Sequence, residues 1–123
     1  MAIVHRMTGA GANLNWEGVA VRAYDGATVR QATRRILIGQ DEGSPNFHLR
    51  YFEVQPGGYT SLDQHAHDHG VMILRGQARV RVGDTETELG YGDVLYIPGN
   101  EIHQLFCLGD EPMGFLCIVP AVR

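Results

Sequence analysis

Gly92-Asp93-Val94-Leu95-Tyr96-Ile97-Pro98-Gly99-Asn100-Glu101-Ile102-His103 reads as a strand, a tight Pro-Gly-Asn turn and a second strand that opens with a histidine. The same rhythm extends in both directions. Short runs with β-branched or alternating character recur at Val19 to Tyr24, Arg34 to Ile38, Phe47 to Val54, Val71 to Leu74, Ala78 to Val82, Thr85 to Leu89, Val94 to Ile97, Ile102 to Leu108 and Phe115 to Val119. Between them stand strong breakers, among them Asp41 to Asn46, Pro56-Gly57-Gly58, Gly83-Asp84 and Gly90-Tyr91-Gly92. No segment carries a helical stripe over three turns, and sixteen glycines with five prolines favour many short strands. Regularly spaced strands of this kind predict a sandwich or barrel, an architecture that also disposes of sheet edges.

The 123 residues suit one domain with its own core. At 44% hydrophobic and 20% charged the chain is too apolar for a disordered tail and too polar for a bilayer. Ten basic against fourteen acidic residues leave a net charge of −4, with the basic residues scattered, which argues against a nucleic-acid groove or an anionic membrane surface. The longest apolar runs, Val71 to Leu74 and Phe115 to Pro120, fall well short of the roughly 18 residues of a membrane span. The apolar run near Met1 is too short for a secretory signal, so a cytoplasmic protein is expected, with Cys107 and Cys117 as thiols. Residues 1–17, with Gly9, Gly11, Asn13 and Asn15 and no periodicity, read as a loosely ordered N-terminal arm; residues 18–123 read as the barrel.

Three of the six histidines fall at His65, His67 and His69. At this histidine content such alternation arises by chance about once in ten thousand per starting position, so it calls for a cause. Alternate residues of a strand share a face, and a bend lets their rings converge on one ion. Neutral imidazole suits transition metals. The bland alternative is a solvated patch of surface histidines.

Taken together, these two segments resemble the paired motifs of the cupin superfamily. The first motif runs glycine, five residues, His, one residue, His, three residues, Glu, six residues, Gly; led in by the Pro56-Gly57-Gly58 turn, its later positions fall on Asp63, His65, His69 and Gly76. The second runs glycine, five residues, Pro, one residue, Gly, two residues, His, and falls on Gly92, Pro98, Asn100 and His103. The resemblance covers the chain from about residue 18 and implies an all-β, single-domain double-stranded β-helix, the jelly-roll barrel. It also implies a homodimer. Two positions depart from the first motif: Asp63 stands for its first His and His69 for its Glu. His69 makes the chain similar to small single-domain cupins with a four-histidine manganese site. The acidic residue followed by the alternating triplet resembles a cupin subgroup that contains a methylthioxylulose phosphate methylsulfurylase.

The resemblance implies one divalent transition metal ion, Mn or Fe, held by Asp63, His65, His69 and His103. His67 is the alternative ligand if Asp63 stands back. Four protein ligands around a six-coordinate ion would leave two neighbouring positions open, the arrangement of a catalytic site. The expected function is a metal-dependent enzyme acting on a small oxygen-bearing metabolite, either a dioxygenase or an isomerase, lyase or sulfur-transfer enzyme on a sugar phosphate; a non-enzymatic binding barrel is the competing class. Cys107, which shares strand parity with His103, and Cys117 are the candidate thiol groups. Tyr24, Arg35, His48 and Arg50 are the candidates for anchoring an anionic substrate. His5 receives no role.

Overall fold

The computed structural model describes residues 2–9 and 14–121, so Gly11 and Asn13 of the expected arm lie outside the described residues. Eleven strands follow in chain order. The first three are two-residue pieces, β1 (Met7–Thr8), β2 (Asn15–Trp16) and β3 (Arg22–Ala23); then come β4 (Arg30–Ile38) and β5 (Phe47–Tyr59), joined by a single 3-10 turn at Gln40–Glu42. The remainder are β6 (His69–Arg75), β7 (Gln77–Val82), β8 (Thr85–Leu89), β9 (Val94–Ile97), β10 (His103–Leu108) and β11 (Met113–Pro120). Among the described residues no helix is long and apolar enough to cross a membrane. The expected strand at Val19 to Tyr24 shrinks to Arg22–Ala23, paired with Thr33 and Arg34 of β4.

β5 organises the barrel. Its thirteen residues would span roughly 40 Å if straight, longer than a small barrel accommodates. It therefore bends. Along one edge it pairs with β11 through Phe47 to Val54 and then with β10 at Tyr59; along the other it pairs with β4. From β11 the sheet continues to β6 and β9, and from β10 to β7 and β8, all antiparallel. The Pro56-Gly57-Gly58 run bends this strand rather than ending it. A proline without an N–H and a glycine at φ +81° leave the ladder there, and the register against β4 jumps between Arg30 and Ala32.

Alternation along the strands sorts the side chains. Val71 and Ile73 of β6, Ala78 and Val80 of β7, Leu105 of β10 and Phe115 of β11 turn inward to one continuous core, while Met72 and Ile118 face out. Burying each such aliphatic residue stabilises the fold by about 1.5–3 kcal/mol before chain entropy is set against it.

The described residues before residue 18 pack on the barrel through specific contacts. β1 and β2 pair with each other, the Trp16 ring packs 5.1 Å from that of Tyr51, and His5 bridges the Glu17 carbonyl (2.8 Å) and the Glu42 carboxylate (2.9 Å). Glu42 also accepts the Gly39 N–H at 2.7 Å, so a histidine without a role in the sequence reading ties the N-terminal segment to the β4–β5 connection.

Candidate metal centre and its cavity

Two loops meet to make the site. The connection from β5 to β6 carries His65 and His67 and leads into His69 at the start of β6, and the connection from β9 to β10 carries the Pro98-Gly99-Asn100 turn. Asn100 N–H donates to the His65 carbonyl at 2.7 Å, and Gln64 Nε2 donates to the Asn100 carbonyl at 2.9 Å. Gly99 permits this approach, because a Cβ there would run into the Ala66 carbonyl oxygen. Asn100 sits at φ +67°, a conformation its short polar side chain tolerates. Asp63 and His103 exchange backbone hydrogen bonds of 3.0 and 2.9 Å, which fixes the start of β10 beside the triplet.

The outcome is a convergence of His65, His69 and His103, whose ligand nitrogens all lie within 4.8 Å of one another. In each ring Nδ1 is engaged elsewhere: His65 with the His67 carbonyl at 3.3 Å, His69 with the Cys117 sulfur at 3.1 Å, His103 with the Glu101 carbonyl at 2.9 Å. Such partners fix ring orientation and tautomer, leaving Nε2 as the free donor atom. The His65 and His69 Nε2 atoms stand 3.0 Å apart. Two ligands at right angles about 2.1 Å from one ion are separated by about 3 Å, so the donor set fits a divalent transition metal. Burial, and next the His65 and His103 rings, push the His69 pKa down to about 3, so its lone pair is available at neutral pH.

These imidazoles open on a cavity of about 420 Å³, the size of a small-metabolite site. Residues 50–119, which contain all three rings, match the family Cupin_2, a cupin domain. The chain is a cupin. It is 41% identical over 111 residues to 1-methylthio-D-xylulose 5-phosphate methylsulfurylase of Rhodospirillum rubrum, covering 88% of this chain and 70% of that protein. Among solved structures it resembles a cupin-2 domain protein of the same organism, with 40% identity, a TM-score of 0.83, and coverage of 94% of this chain and 78% of the other. A cupin 2 conserved barrel domain protein from Rhodopseudomonas palustris matches with 37% identity, a TM-score of 0.86, and coverage of 98% and 82%.

The remaining predicted residues distribute unevenly around this cupin cavity. Asp63 lines it but stands outside the convergent trio; its carboxylate accepts a hydrogen bond from the Ser61 hydroxyl, which also meets the Tyr24 hydroxyl. The His67 ring stacks on His65 with centroids 3.9 Å apart, and burial lowers its pKa. Cys117 lines the cavity; burial raises its thiol pKa, against the pull of the Arg50 guanidinium whose Nη2 lies 3.5 Å from its sulfur. Cys107 does not line it. Parity puts Cys107 on the His103 face of β10, but four residues along, where its thiol donates to the Glu111 carbonyl at 3.1 Å.

Of the candidate anion anchors, Tyr24 and Arg50 line the cavity while Arg35 and His48 do not. Arg35 turns to the outer face, where it meets Asn15, Thr33 and the Tyr51 ring. Its neighbour Arg34 takes the inward place. The Arg34, Ser61 and Phe52 contributions were not singled out in the sequence, because parity assigns a face only once the register against β5 is known.

Proposed function

We propose that this cupin is an enzyme that binds one divalent ion, Mn or Fe, through His65, His69 and His103 and transforms a small oxygen-bearing metabolite in the barrel. The observation that carries the reading is that His65, His69 and His103 each engage Nδ1 elsewhere while their ligand atoms lie within 4.8 Å of one another beside a cavity. A divalent ion there would supply Lewis-acid stabilisation of negative charge on a substrate oxygen.

The chain's own groups do the rest. His65, His69 and His103 hold the ion, with Asp63 or His67 as the fourth protein group. The Tyr24, Ser61 and Asp63 side chains form a hydrogen-bonded row along the cavity wall, a route by which a proton can move between substrate and carboxylate. Cys117 presents a buried thiol whose sulfur lies 3.1 Å from His69 Nδ1 and accepts from Arg50 Nη2 at 3.5 Å. The 41% identity to a methylsulfurylase acting on a methylthio sugar phosphate favours isomerase or sulfur-transfer chemistry on a hydroxy-ketone of that kind over a dioxygenase reaction.

The test is turnover of 1-methylthio-D-xylulose 5-phosphate by the full chain with an added thiol, with and without air, before and after chelation. Anaerobic, thiol-dependent turnover that chelation abolishes and Mn or Fe restores is the expected result. Oxygen uptake coupled to substrate loss would replace this reading with the dioxygenase.

A further inference from the structure

The cavity holds two cations whose hydrogen-bonding capacity the protein leaves open. Arg34 on β4 and Arg50 on β5 both line it, and the Nε atom of each is buried without a hydrogen-bond partner. A buried donor of a charged group left unpaired is costly and uncommon in folded proteins. Among the described residues the ion pairs are His5–Glu42, Arg75–Glu53 and Arg79–Glu86, and neither the Arg34 nor the Arg50 guanidinium takes part in one. Arg50 lies 5.0 Å over the Phe52 ring and offers Nη2 only to a sulfur, a weak acceptor, at 3.5 Å; Arg34 lies 6.0 Å from the Tyr24 ring. Aromatic rings thus flank both cations.

The register places them as a pair. Arg34 stands opposite Phe52 and Ile36 opposite Arg50, so Arg34 and Arg50 are diagonal neighbours on one face of adjacent strands. Diagonal positions lie about 7–8 Å apart, within reach of long side chains converging on one group. The charged residues lining the cavity are Asp25, Arg34, Arg50 and Asp63; Asp25 is exposed at the rim and Asp63 is engaged by Ser61. Two cations against one committed carboxylate, beside a site for a divalent ion, leave the interior short of negative charge. A dianion corrects that better than a monoanion, and guanidinium groups match phosphate oxygens with paired N–H donors.

We propose that Arg34 and Arg50 form a phosphate-binding subsite that holds the phosphate-monoester end of the substrate while its other oxygens reach the three imidazoles. The assignment deepens the enzyme reading above and rests on it for the word substrate. One sulfur, that of Cys117, separates the Arg50 guanidinium from the His69 ring, so the anion would sit a few carbon atoms from the ion site.

The experiment is titration calorimetry of the full chain with glycerol 3-phosphate, and with D-glycerate as the carboxylate counterpart, on metal-free and Mn-loaded protein. Glycerol 3-phosphate should bind the metal-free wild type, at least about tenfold more tightly than glycerate, and each of Arg34→Gln and Arg50→Gln should weaken it about tenfold or more, with Arg34→Lys weakened less. His65→Ala should lose Mn uptake and retain glycerol 3-phosphate binding, whereas Arg34→Gln should do the reverse, a contrast that a merely structural role for Arg34 does not produce. Binding of the phosphate by a protein that takes up no metal would uphold the subsite while sinking the metal-enzyme reading. Absence of phosphate binding by wild type, binding unchanged from wild type in both glutamine variants, or glycerate binding as tight as the phosphate would overturn the proposal.

Discussion

Arg34 and Arg35 are neighbours in the chain and end on opposite faces of the β4–β5 layer. On the outer face Arg35, only 4% exposed, is engaged by the protein itself: its guanidinium donates to Asn15 Oδ1 at 3.0 Å and Thr33 Oγ1 at 3.3 Å and lies 5.5 Å from the Tyr51 ring. Tyr51 in turn donates to Glu53 at 3.1 Å, and Arg75 lies 3.6 Å from the same carboxylate. On the inner face Arg34 and Arg50 keep unpaired Nε donors above a cavity. One face spends its polar groups on holding the N-terminal segment and the strands together. The other keeps its polar groups for something that enters. Buried polar groups are paired where structure is their whole purpose, so the unpaired ones mark the working face.

Substitutions sharpen this contrast, and the largest effect lies at the imidazoles. His103→Ala or His65→Ala should lower Mn affinity by more than the roughly 10–100-fold that outer-shell partners are worth, with a melting temperature close to wild type. Competition with a metallochromic chelator reads the affinity; loading equal to wild type in either variant would remove that residue from the ligand set. Asp63→Ala and His67→Ala in the same assay decide which supplies the fourth group.

The outer face should answer in stability instead. Arg35→Ala removes a buried guanidinium hydrogen-bonded to Asn15 and Thr33 and strands Asn15, and should cost about 2 kcal/mol in urea unfolding, while Arg34→Ala should cost clearly less. Equal costs would erase the distinction between the faces.

The smallest effect belongs to the His5–Glu42 contact. The Glu42 hydrogen bond is the leading cause that raises the His5 pKa, so its contribution is present at low pH and lost as pH rises through the folded-state value. The Glu42 pKa is lowered: burial acts to raise it, but the His5 and Gly39 hydrogen bonds outweigh that, so its contribution is lost as pH falls through the folded-state value. The difference in melting temperature between wild type and His5→Ala should therefore peak at mildly acidic pH and shrink on both sides; a difference independent of pH would show that the contact is not an ion pair.

How far the sequence carries the account follows the same division. Strands with period-two alternation and glycine boundaries, such as Gln77–Val82 with Ala78 and Val80 buried, stand close to where the local pattern puts them, because burial on one face enforces that pattern. The spacing of His65, His69 and His103 was legible because backbone geometry transmits it directly to the site. What the sequence withheld depends on tertiary register. Arg34 and Arg35 exchange faces with a one-residue slip, and β4 carries irregularities on both sides of them. Cys107 has the right parity at the wrong distance along its strand. His5 acts across 37 residues of sequence, a separation no local pattern reports.

The most direct test of the central claim is the metal content of tag-free protein, purified without added metal, by elemental mass spectrometry. The account predicts about one Mn or Fe per chain, retained through gel filtration and lost in His65→Ala. Protein that carries no metal, and takes up neither Mn nor Fe on reconstitution, would contradict it.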